Sequence, residues 1–181
     1  MMKIRAVLAL LAMTVAMVAV SAPAVAEESS CAVTWGSLPK GGIPLPGPAL
    51  FDIRAGRHEC FDRLVIDVNG AVQGYRVEYE PVVTGLASGD PVTVRGGAFL
   101  SVIVGATDHD DNGQPTYSGA GRAELVNVAG FATFRQVRWA ESQEGLTQVA
   151  LGVRARLPFR VFVLAGPGDG SRLVVDVAHR W

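Results

Sequence analysis

Short runs in which apolar and polar residues alternate recur from residue 61 to the end of the chain. The run FDRLVIDV (61–68) is rich in β-branched residues and stops at Asn69-Gly70, a dipeptide typical of tight turns. The run YRVEYE (75–80) alternates in the same way and ends at Pro81. Because side chains two positions apart lie on the same face of a strand, these runs are predicted to be strands. Further runs with strand character lie at 91–94, 99–106, 123–128, 134–141, 147–154, 158–166 and 171–179.

Helical periodicity is weak throughout the sequence. No window of a dozen residues repeats its apolar positions every 3.6 residues, and the best helical candidate, residues 121–128, is short. The predicted strands also follow one another too closely for the helical crossovers of a parallel sheet. About nine short strands separated by Gly, Pro and Asn turns therefore predict an all-β domain, either a β-sandwich or a partly closed barrel.

Two six-residue segments of the chain are nearly identical. RLVIDV (63–68) and RLVVDV (172–177) differ only by Ile against Val. Either strands draw on a small set of residues, or the two segments occupy pseudo-symmetric places in the fold. In both cases alternation puts their aliphatic residues on one face, which predicts a core that contains Leu64, Ile66, Val68, Leu173, Val175 and Val177.

The N-terminus has the three parts of a secretory signal peptide. Lys3 and Arg5 precede an uncharged apolar stretch at 6–20, and Ala24-Val25-Ala26 supplies a small-residue cleavage site. An uncleaved membrane anchor is the alternative, but the stretch is shorter than the roughly 20 residues that span a bilayer. We therefore predict a signal peptide at 1–26, a secreted or extracytoplasmic protein, and no transmembrane anchor after cleavage.

The 155 residues after Ala26 are enough for one domain with one hydrophobic core. Residues 27–49 contain a stretch rich in Pro and Gly and are expected to form an irregular N-terminal arm, with the β domain at 50–181. Without Lys3 and Arg5, the 16 basic residues fall to 14 against 17 acidic residues, a net charge near −3. This mildly acidic balance gives no electrostatic reason to expect a nucleic-acid partner.

Cys31 and Cys60 are the two cysteines of the chain. In an oxidising compartment such a pair predicts one disulfide. The bridge would attach the arm to the first strand of the domain. Two free thiols or a metal-binding pair are the alternatives, although only His58 lies close enough in sequence to complete a zinc site.

The sequence lacks the motifs of common hydrolases. Its three histidines, His58, His109 and His179, are scattered and form no HExxH spacing for a catalytic zinc, and no segment matches Gly-x-Ser-x-Gly. A thiol nucleophile is excluded if the cysteines are paired, whereas a pair of carboxylates brought together by the fold stays open. We expect a protein without catalytic activity and without a cofactor.

Several segments together resemble a known family. The resemblance is carried by FDRLVIDV (61–68), GYRVEY (74–79), GAFL (97–100), His109-Asp110 with Gly113, PTY (115–117), GVRARLPFRVFVL (152–164) and RLVVDV (172–177). In this order they are similar to the AMIN-like domain of secreted actinobacterial proteins, a relative of the AMIN modules attached to peptidoglycan amidases and secretin-type pore proteins. The resemblance spans roughly residues 50 to 178. It implies a non-catalytic β-sandwich and, by analogy with the AMIN modules, a cell-wall targeting domain that binds peptidoglycan.

A wall-binding role directs attention to aromatic and arginine side chains. Trp35, Tyr117, Trp139 and Trp181 are candidate platforms for sugar rings, although single aromatic residues on strands more often pack in the core. Guanidinium groups that could bind peptide carboxylates with two hydrogen bonds are those of Arg63, Arg76, Arg154, Arg156, Arg160 and Arg172. The alternative is that these arginines are only the solvent-facing residues of half-buried strands. The residues that we select as ligand-binding candidates are His109, Asp110, Tyr117, Trp139, Arg154 and Arg172.

The polar stretch 107–121 is predicted to be a loop. Its residues Asp108, Asp110, Asn112 and Gly113 match the opening of a calcium loop, but Gly119 stands where a bidentate Glu is needed and Pro115 interrupts the run. Asp and Asn are also common in ordinary turns. The weak calcium candidates are therefore Asp108, Asp110 and Asn112, with a plain polar loop as the favoured interpretation.

Two functional hypotheses follow. The first is a non-enzymatic envelope module that binds peptidoglycan or an associated wall polymer through a polar sandwich face or the 107–121 loop. The second is an accessory subunit that binds an envelope protein through a strand edge or a sandwich face.

Overall fold

The structure is a computed structural model, and it describes residues 31–117, 119 and 121–181. The predicted signal peptide at 1–26 lies outside the described residues. Within them the chain forms eleven strands in antiparallel sheets and no helix, which confirms the predicted all-β fold.

Two of the sheets form the body of the domain. The larger sheet has the order β1 (Lys40–Gly41), β4 (Tyr75–Glu80), β7 (Ala98–Val104), β9 (Leu146–Val153), β8 (Phe134–Gln143). The smaller has the order β10 (Phe159–Ala165), β11 (Ser171–Ala178), β3 (Phe61–Val68), β2 (Leu50–Arg57). A two-stranded ribbon consists of β5 (Val83–Thr84) and β6 (Pro91–Val92). The two large sheets are separate, so the fold is a sandwich and not a closed barrel.

The core lies between the two large sheets. From the four-stranded sheet it takes the six aliphatic residues predicted from the repeat, each with no exposed surface: Leu64, Ile66, Val68, Leu173, Val175 and Val177. From the five-stranded sheet it takes residues such as Leu100, Val102, Val149 and Leu151. Alternation along each strand thus places one apolar face of each sheet in a shared interior.

The predicted strands agree with the structure at most positions. β3 and β4 have the predicted bounds, and the runs from 134 onward coincide with β8 to β11 within two residues. The strand predicted at 123–128 is wrong. Its backbone contacts β8 through two hydrogen bonds, from Leu125 N to Val137 O and from Trp139 N to Arg122 O, but residues 123–128 form no strand.

β2 is the strand that the alternation pattern missed. In its sequence, LFDIRAGR, the two buried residues Leu50 and Ile53 are three positions apart, so burial does not follow a period of two. A β-bulge between Leu50 and Asp52 further breaks the period of two. An edge strand needs only part of one face to be apolar, so its sequence carries a weak signal.

The near-identical segments 63–68 and 172–177 are antiparallel neighbours at the centre of the four-stranded sheet. Arg63 lies opposite Asp176, and Arg172 lies opposite Asp67. An approximate two-fold axis between the strands exchanges these two pairs. The register supports the pseudo-symmetric interpretation of the repeat.

The arm is joined to the domain by a Cys31–Cys60 disulfide, as predicted. Cys60 lies in the turn between β2 and β3 rather than on a strand. Beyond the disulfide, Gly36 O accepts a hydrogen bond from Phe159 N of β10, and β1 then pairs with β4. The arm therefore connects the edges of the two large sheets.

Candidate functional site

The outward face of the four-stranded sheet is unusually rich in arginine. Because Leu64, Ile66 and Val68 point inward, their neighbours Arg63, Val65 and Asp67 point outward, and the same alternation holds in β11. We define the arginine face by its outward charged residues, which are Arg54, Arg63, Arg160, Arg172, Asp52, Asp67 and Asp176. The face carries four arginines and three aspartates, an excess of one positive charge.

One half of the arginine face is fully paired. The carboxylate of Asp176 has no exposed surface and accepts from Arg63 Nε at 2.6 Å and Arg63 Nη2 at 2.9 Å. Arg160 Nε donates to the same carboxylate at 2.8 Å. The hydrogen bond to Asp176 raises the pKa of Arg63 above its ordinary value. Two guanidinium groups therefore share one buried carboxylate.

The other half of the arginine face is paired differently. Arg54 donates to both oxygens of Asp67, through Nε at 2.8 Å and Nη2 at 2.9 Å. Arg172 lies opposite Asp67 in the ladder, but its Nη2 donates to the backbone oxygen of Ala165 at 3.0 Å. Its Nε is buried and has no hydrogen-bond partner among the described residues. Arg172 is thus a half-buried guanidinium without a carboxylate partner in the described part of the chain.

Aromatic rings surround the paired half of the arginine face. The Arg160 guanidinium carbon lies 4.4 Å from the ring centroid of Trp35 and 5.2 Å from that of Phe162. Arg63 lies 5.2 Å from the ring of Phe61, on which Trp35 packs edge-on. These contacts have the geometry of cation–π interactions and present aromatic and cationic groups side by side.

A groove of about 290 Å³ lies beside Arg172. Val65 and Val174 point outward, yet they are only 7% and 1% exposed and form its apolar floor. Its other lining residues are Arg54, Ala55, Gly56, His58, Arg63, Leu164 and Arg172. The groove combines an apolar floor with three guanidinium groups.

The 107–121 loop brings several predicted residues together. Asp108 contacts His109 Nδ1 at 3.1 Å and Arg122 Nη2 at 3.3 Å. Tyr117 stacks on Trp139 with ring centroids 6.0 Å apart, and the adjacent pocket has a volume of about 70 Å³. Trp139 is only 6% exposed, so its ring packs into the protein and offers no open face to a sugar.

Asp110 stabilises the 107–121 loop from within. Its Oδ1 accepts hydrogen bonds from the backbone nitrogens of Asn112 and Gln114, both at 2.8 Å. These bonds, the one from Gln114 first, lower the pKa of Asp110. Residues 31–117, 119 and 121–181 contain no group of three or more His, Cys, Asp or Glu side chains placed to hold a metal ion. Calcium binding by Asp108, Asp110 and Asn112 stays a prediction without support from this geometry.

A family model for the AMIN-like domain matches residues 48–179. This match covers more than half of the chain. The chain belongs to the AMIN-like domain family. No curated protein matches the sequence.

AMIN-like domains are generally non-catalytic binding modules, and the family indicates a module related to the cell envelope. The Cys31–Cys60 disulfide of this AMIN-like domain is consistent with an extracytoplasmic location, where such bonds persist. In the described residues no helix has the length and apolar character to cross a membrane.

The ligand-binding candidates do not form one site in this AMIN-like domain. His109, Asp110, Tyr117 and Trp139 belong to the loop region, whereas Arg172 lines the groove. Arg154 follows β9 and donates to the backbone oxygen of His179.

Sequence reasoning missed Arg54 and His58 as lining residues of the groove. Arg54 lies on β2, which the alternation pattern did not identify, and His58 follows that strand. The signal that was available is the run FDIRAGR, which carries an arginine flanked by apolar residues directly before the first predicted strand.

Proposed function

We propose that this AMIN-like domain is a secreted, non-catalytic module that binds peptidoglycan or an associated wall polymer through its arginine face. The observation that carries the proposal is the guanidinium of Arg172, which lines a groove on the solvent side of the sheet without a carboxylate partner in the described part of the chain.

Charge distribution supports this role. The whole chain has a formal net charge of −1, yet the arginine face has an excess of one positive charge and the guanidinium groups lie close together. Peptidoglycan carries peptide carboxylates, which are the groups that a guanidinium binds with two parallel hydrogen bonds. Because the rest of the protein is mildly acidic, an anionic partner is attracted to this positively charged face in preference to the remaining surface.

The composition of the arginine face also suits a polymer of sugars and peptides. Trp35, Phe61 and Phe162 supply partly exposed rings next to Arg160 and Arg63. Aromatic rings pack on the apolar faces of sugars, while arginine binds the charged groups between them. In this respect the arginine face differs from the loop pocket, which is small and holds a buried tryptophan.

A protein partner is the second candidate, and exposed apolar residues on the arm favour it. Leu38, Ile43 and Leu45 are 72%, 89% and 61% exposed and lie within eight positions of one another. Such a cluster is a common feature of protein-binding surfaces. This hypothesis predicts co-purification with one envelope protein and no retention by purified peptidoglycan.

The proposal is tested by sedimentation of the purified protein with insoluble peptidoglycan sacculi. We expect the wild-type protein to be retained, and Arg172→Glu to lower the retained fraction about tenfold because it reverses the unpaired charge. Arg138→Glu is the matched control, since Arg138 points outward from the five-stranded sheet. Retention should also fall as salt is raised.

Two results would overturn the proposal. Absence of wild-type retention would contradict wall binding and direct the search to protein partners of the arm. Equal loss in the Arg172 and Arg138 variants would show that the arginine face is not the binding surface.

A further inference from the structure

We propose that the groove beside Arg172 binds the free terminal carboxylate of a short peptide, with a small apolar residue resting on Val65 and Val174. This rests on the proposed function and narrows it, because it names the group of the wall polymer that the arginine face recognises.

The axis between β3 and β11 relates two arginine–aspartate pairs. Arg63 opposite Asp176 corresponds to Arg172 opposite Asp67. If the symmetry were complete, Arg172 would hold Asp67 as Arg63 holds Asp176. The structure shows instead that only the pair of Arg63 and Asp176 forms.

The outer strands explain why the second pair does not form. β10 places Arg160 opposite Asp176, so that carboxylate attracts two guanidinium groups. β2 places Asp52 opposite Asp67, and Arg54 follows Asp52 two residues later on the same face of the strand. Arg54 Nε lies 2.8 Å from Oδ2 of Asp67 and 4.0 Å from Oδ2 of Asp52. In the described residues Arg54 binds both oxygens of Asp67, while Arg172 Nη2 donates to the backbone oxygen of Ala165 instead.

The surroundings of Arg172 define the chemistry of the missing partner. Its Nε is buried with no acceptor among the residues that the structure describes, while Nη2 donates to the backbone oxygen of Ala165. A carboxylate that enters the groove, with a small rotation of this half-buried side chain, would give Nε the acceptor that it lacks. Asp67 and Asp176 are each bound through Nε and Nη2 of one arginine, so the arginine face already uses this fork geometry twice.

The charge of the arginine face favours a monoanion. Across the whole face four arginines meet three aspartates, which leaves one excess positive charge, and the described residues that line the groove include Arg54, Arg63 and Arg172 but no carboxylate. A carboxylate neutralises one charge, whereas a phosphate monoester would bring close to two. The apolar floor also suits a carboxylate that is attached to a small hydrocarbon side chain.

The dimensions of the groove favour the end of a chain. Its volume of about 290 Å³ lies just below the roughly 300–1,000 Å³ typical of small-molecule pockets. Leu164, which is 38% exposed, forms an apolar part of its wall. The groove accommodates a terminal residue and its carboxylate more readily than a long saccharide segment.

The test uses N-acetyl-alanyl-alanine, its C-terminal carboxamide and methyl phosphate as probes, with binding to the purified protein followed by NMR chemical-shift changes. We expect the free acid to bind at least about tenfold more tightly than the carboxamide, because only the acid forms a charge-assisted pair. Shifts should be concentrated around Arg172, Val174 and Leu164. Methyl phosphate should bind more weakly than the acid.

Variants of Arg172 separate a specific contact from general charge. Arg172→Gln should abolish the preference for the acid, and Arg172→Lys should keep only part of it because an ammonium lacks the planar fork. Arg138→Gln, on the other sheet, should leave the preference unchanged. Equal melting temperatures of the variants would show that the changes in binding do not come from unfolding.

The inference is overturned if acid and amide bind equally, if methyl phosphate binds more tightly, or if Arg172→Gln keeps the preference. These outcomes are distinct from failure of the proposed function. Retention by sacculi with no acid preference would leave wall binding intact and remove the carboxylate site. Acid preference without retention by sacculi would support the groove and contradict wall binding.

Discussion

Single carboxylates connect parts of this AMIN-like domain that are distant in sequence. Asp62 is fully buried on β3, and its Oδ2 accepts from the backbone nitrogens of Thr133 at 2.6 Å and Phe134 at 3.0 Å. Its Oδ1 lies 3.1 Å from Nε2 of His179. One side chain thus joins the start of β8 to the ends of β3 and β11. A buried acceptor of this kind is costly to remove because its donors lose their partner.

Asp108 has a comparable role in the 107–121 loop. Burial raises the pKa of Asp108, but hydrogen bonds from His109, Ser142 and Arg122 together outweigh burial and lower the pKa below the ordinary 3.8. A carboxyl group with a lowered folded-state pKa stabilises the protein above its unfolded pKa. That stabilisation is lost as the pH falls through the folded-state pKa.

We therefore predict that the free energy of unfolding falls as the pH drops below about 4, and that Asp108→Asn makes this fall smaller. The measurement is urea unfolding at several pH values between roughly 2 and 6. Asp111→Asn, at an exposed position in the same loop, is the control and should keep the wild-type slope. An unchanged slope in the Asp108 variant would contradict this role of its carboxylate.

At the scale of elements, the arm is held by a few contacts at defined points. The disulfide fixes its start at Cys60, Trp35 packs between Phe61 and Arg160, and Gly36 bonds to β10. The short strand β1 then covers the edge of β4. Without these contacts the Pro- and Gly-rich segment has little local preference for one conformation.

Replacing both cysteines by serine should lower the free energy of unfolding by about 3–4 kcal/mol, since the disulfide closes a loop with a sequence separation of 29. Urea unfolding provides the measurement, and hydrogen exchange at Phe159 should quicken as the bond to Gly36 weakens. Thr34→Ala, an exposed change in the same arm, should have little effect. Two alkylatable thiols in the native, unreduced protein would contradict the disulfide itself.

At the scale of the whole molecule, one core serves both sheets. The buried cluster includes residues of the four-stranded sheet, such as Ile66 and Leu173, and of the five-stranded sheet, such as Val102 and Leu151. A second, smaller buried cluster contains Val83 of the β5–β6 ribbon, Val94 and Ala150 of β9. The arm and Asp62 add covalent and polar links between the two layers.

This shared core predicts cooperative unfolding in a single transition. Far-ultraviolet circular dichroism and tryptophan fluorescence should give coincident curves, because Trp35 lies against the smaller sheet and Trp139 lies on the larger one. Urea titrations recorded with both probes measure this directly. Separate transitions would show that the sheets unfold independently. Trp181→Phe is the control: it changes an exposed C-terminal residue and should leave the two unfolding curves superimposed.

The sequence by itself determined the class of the fold, the part of its core that β3 and β11 supply, and its disulfide. Alternation is a local property of the sequence, so it located β3, β4 and the later strands. It also predicted that Leu64 and Leu173 face the core, whereas Arg63 and Arg172 lie on the opposite face of the sheet. The strand at 123–128 and the missing β2 show its limit, since hydrogen bonding at a sheet edge depends on neighbours that alternation does not specify.

Only the tertiary structure decided which of the two arginines binds a carboxylate within the described residues and which does not. Arg63 and Arg172 stand at equivalent positions of near-identical six-residue segments, and these segments alone do not distinguish them. The difference comes from the strands beside them, because β10 brings Arg160 to Asp176 while β2 brings Asp52 and Arg54 to Asp67. Pairing of charges depends on distances across a sheet, and the register of four strands sets those distances.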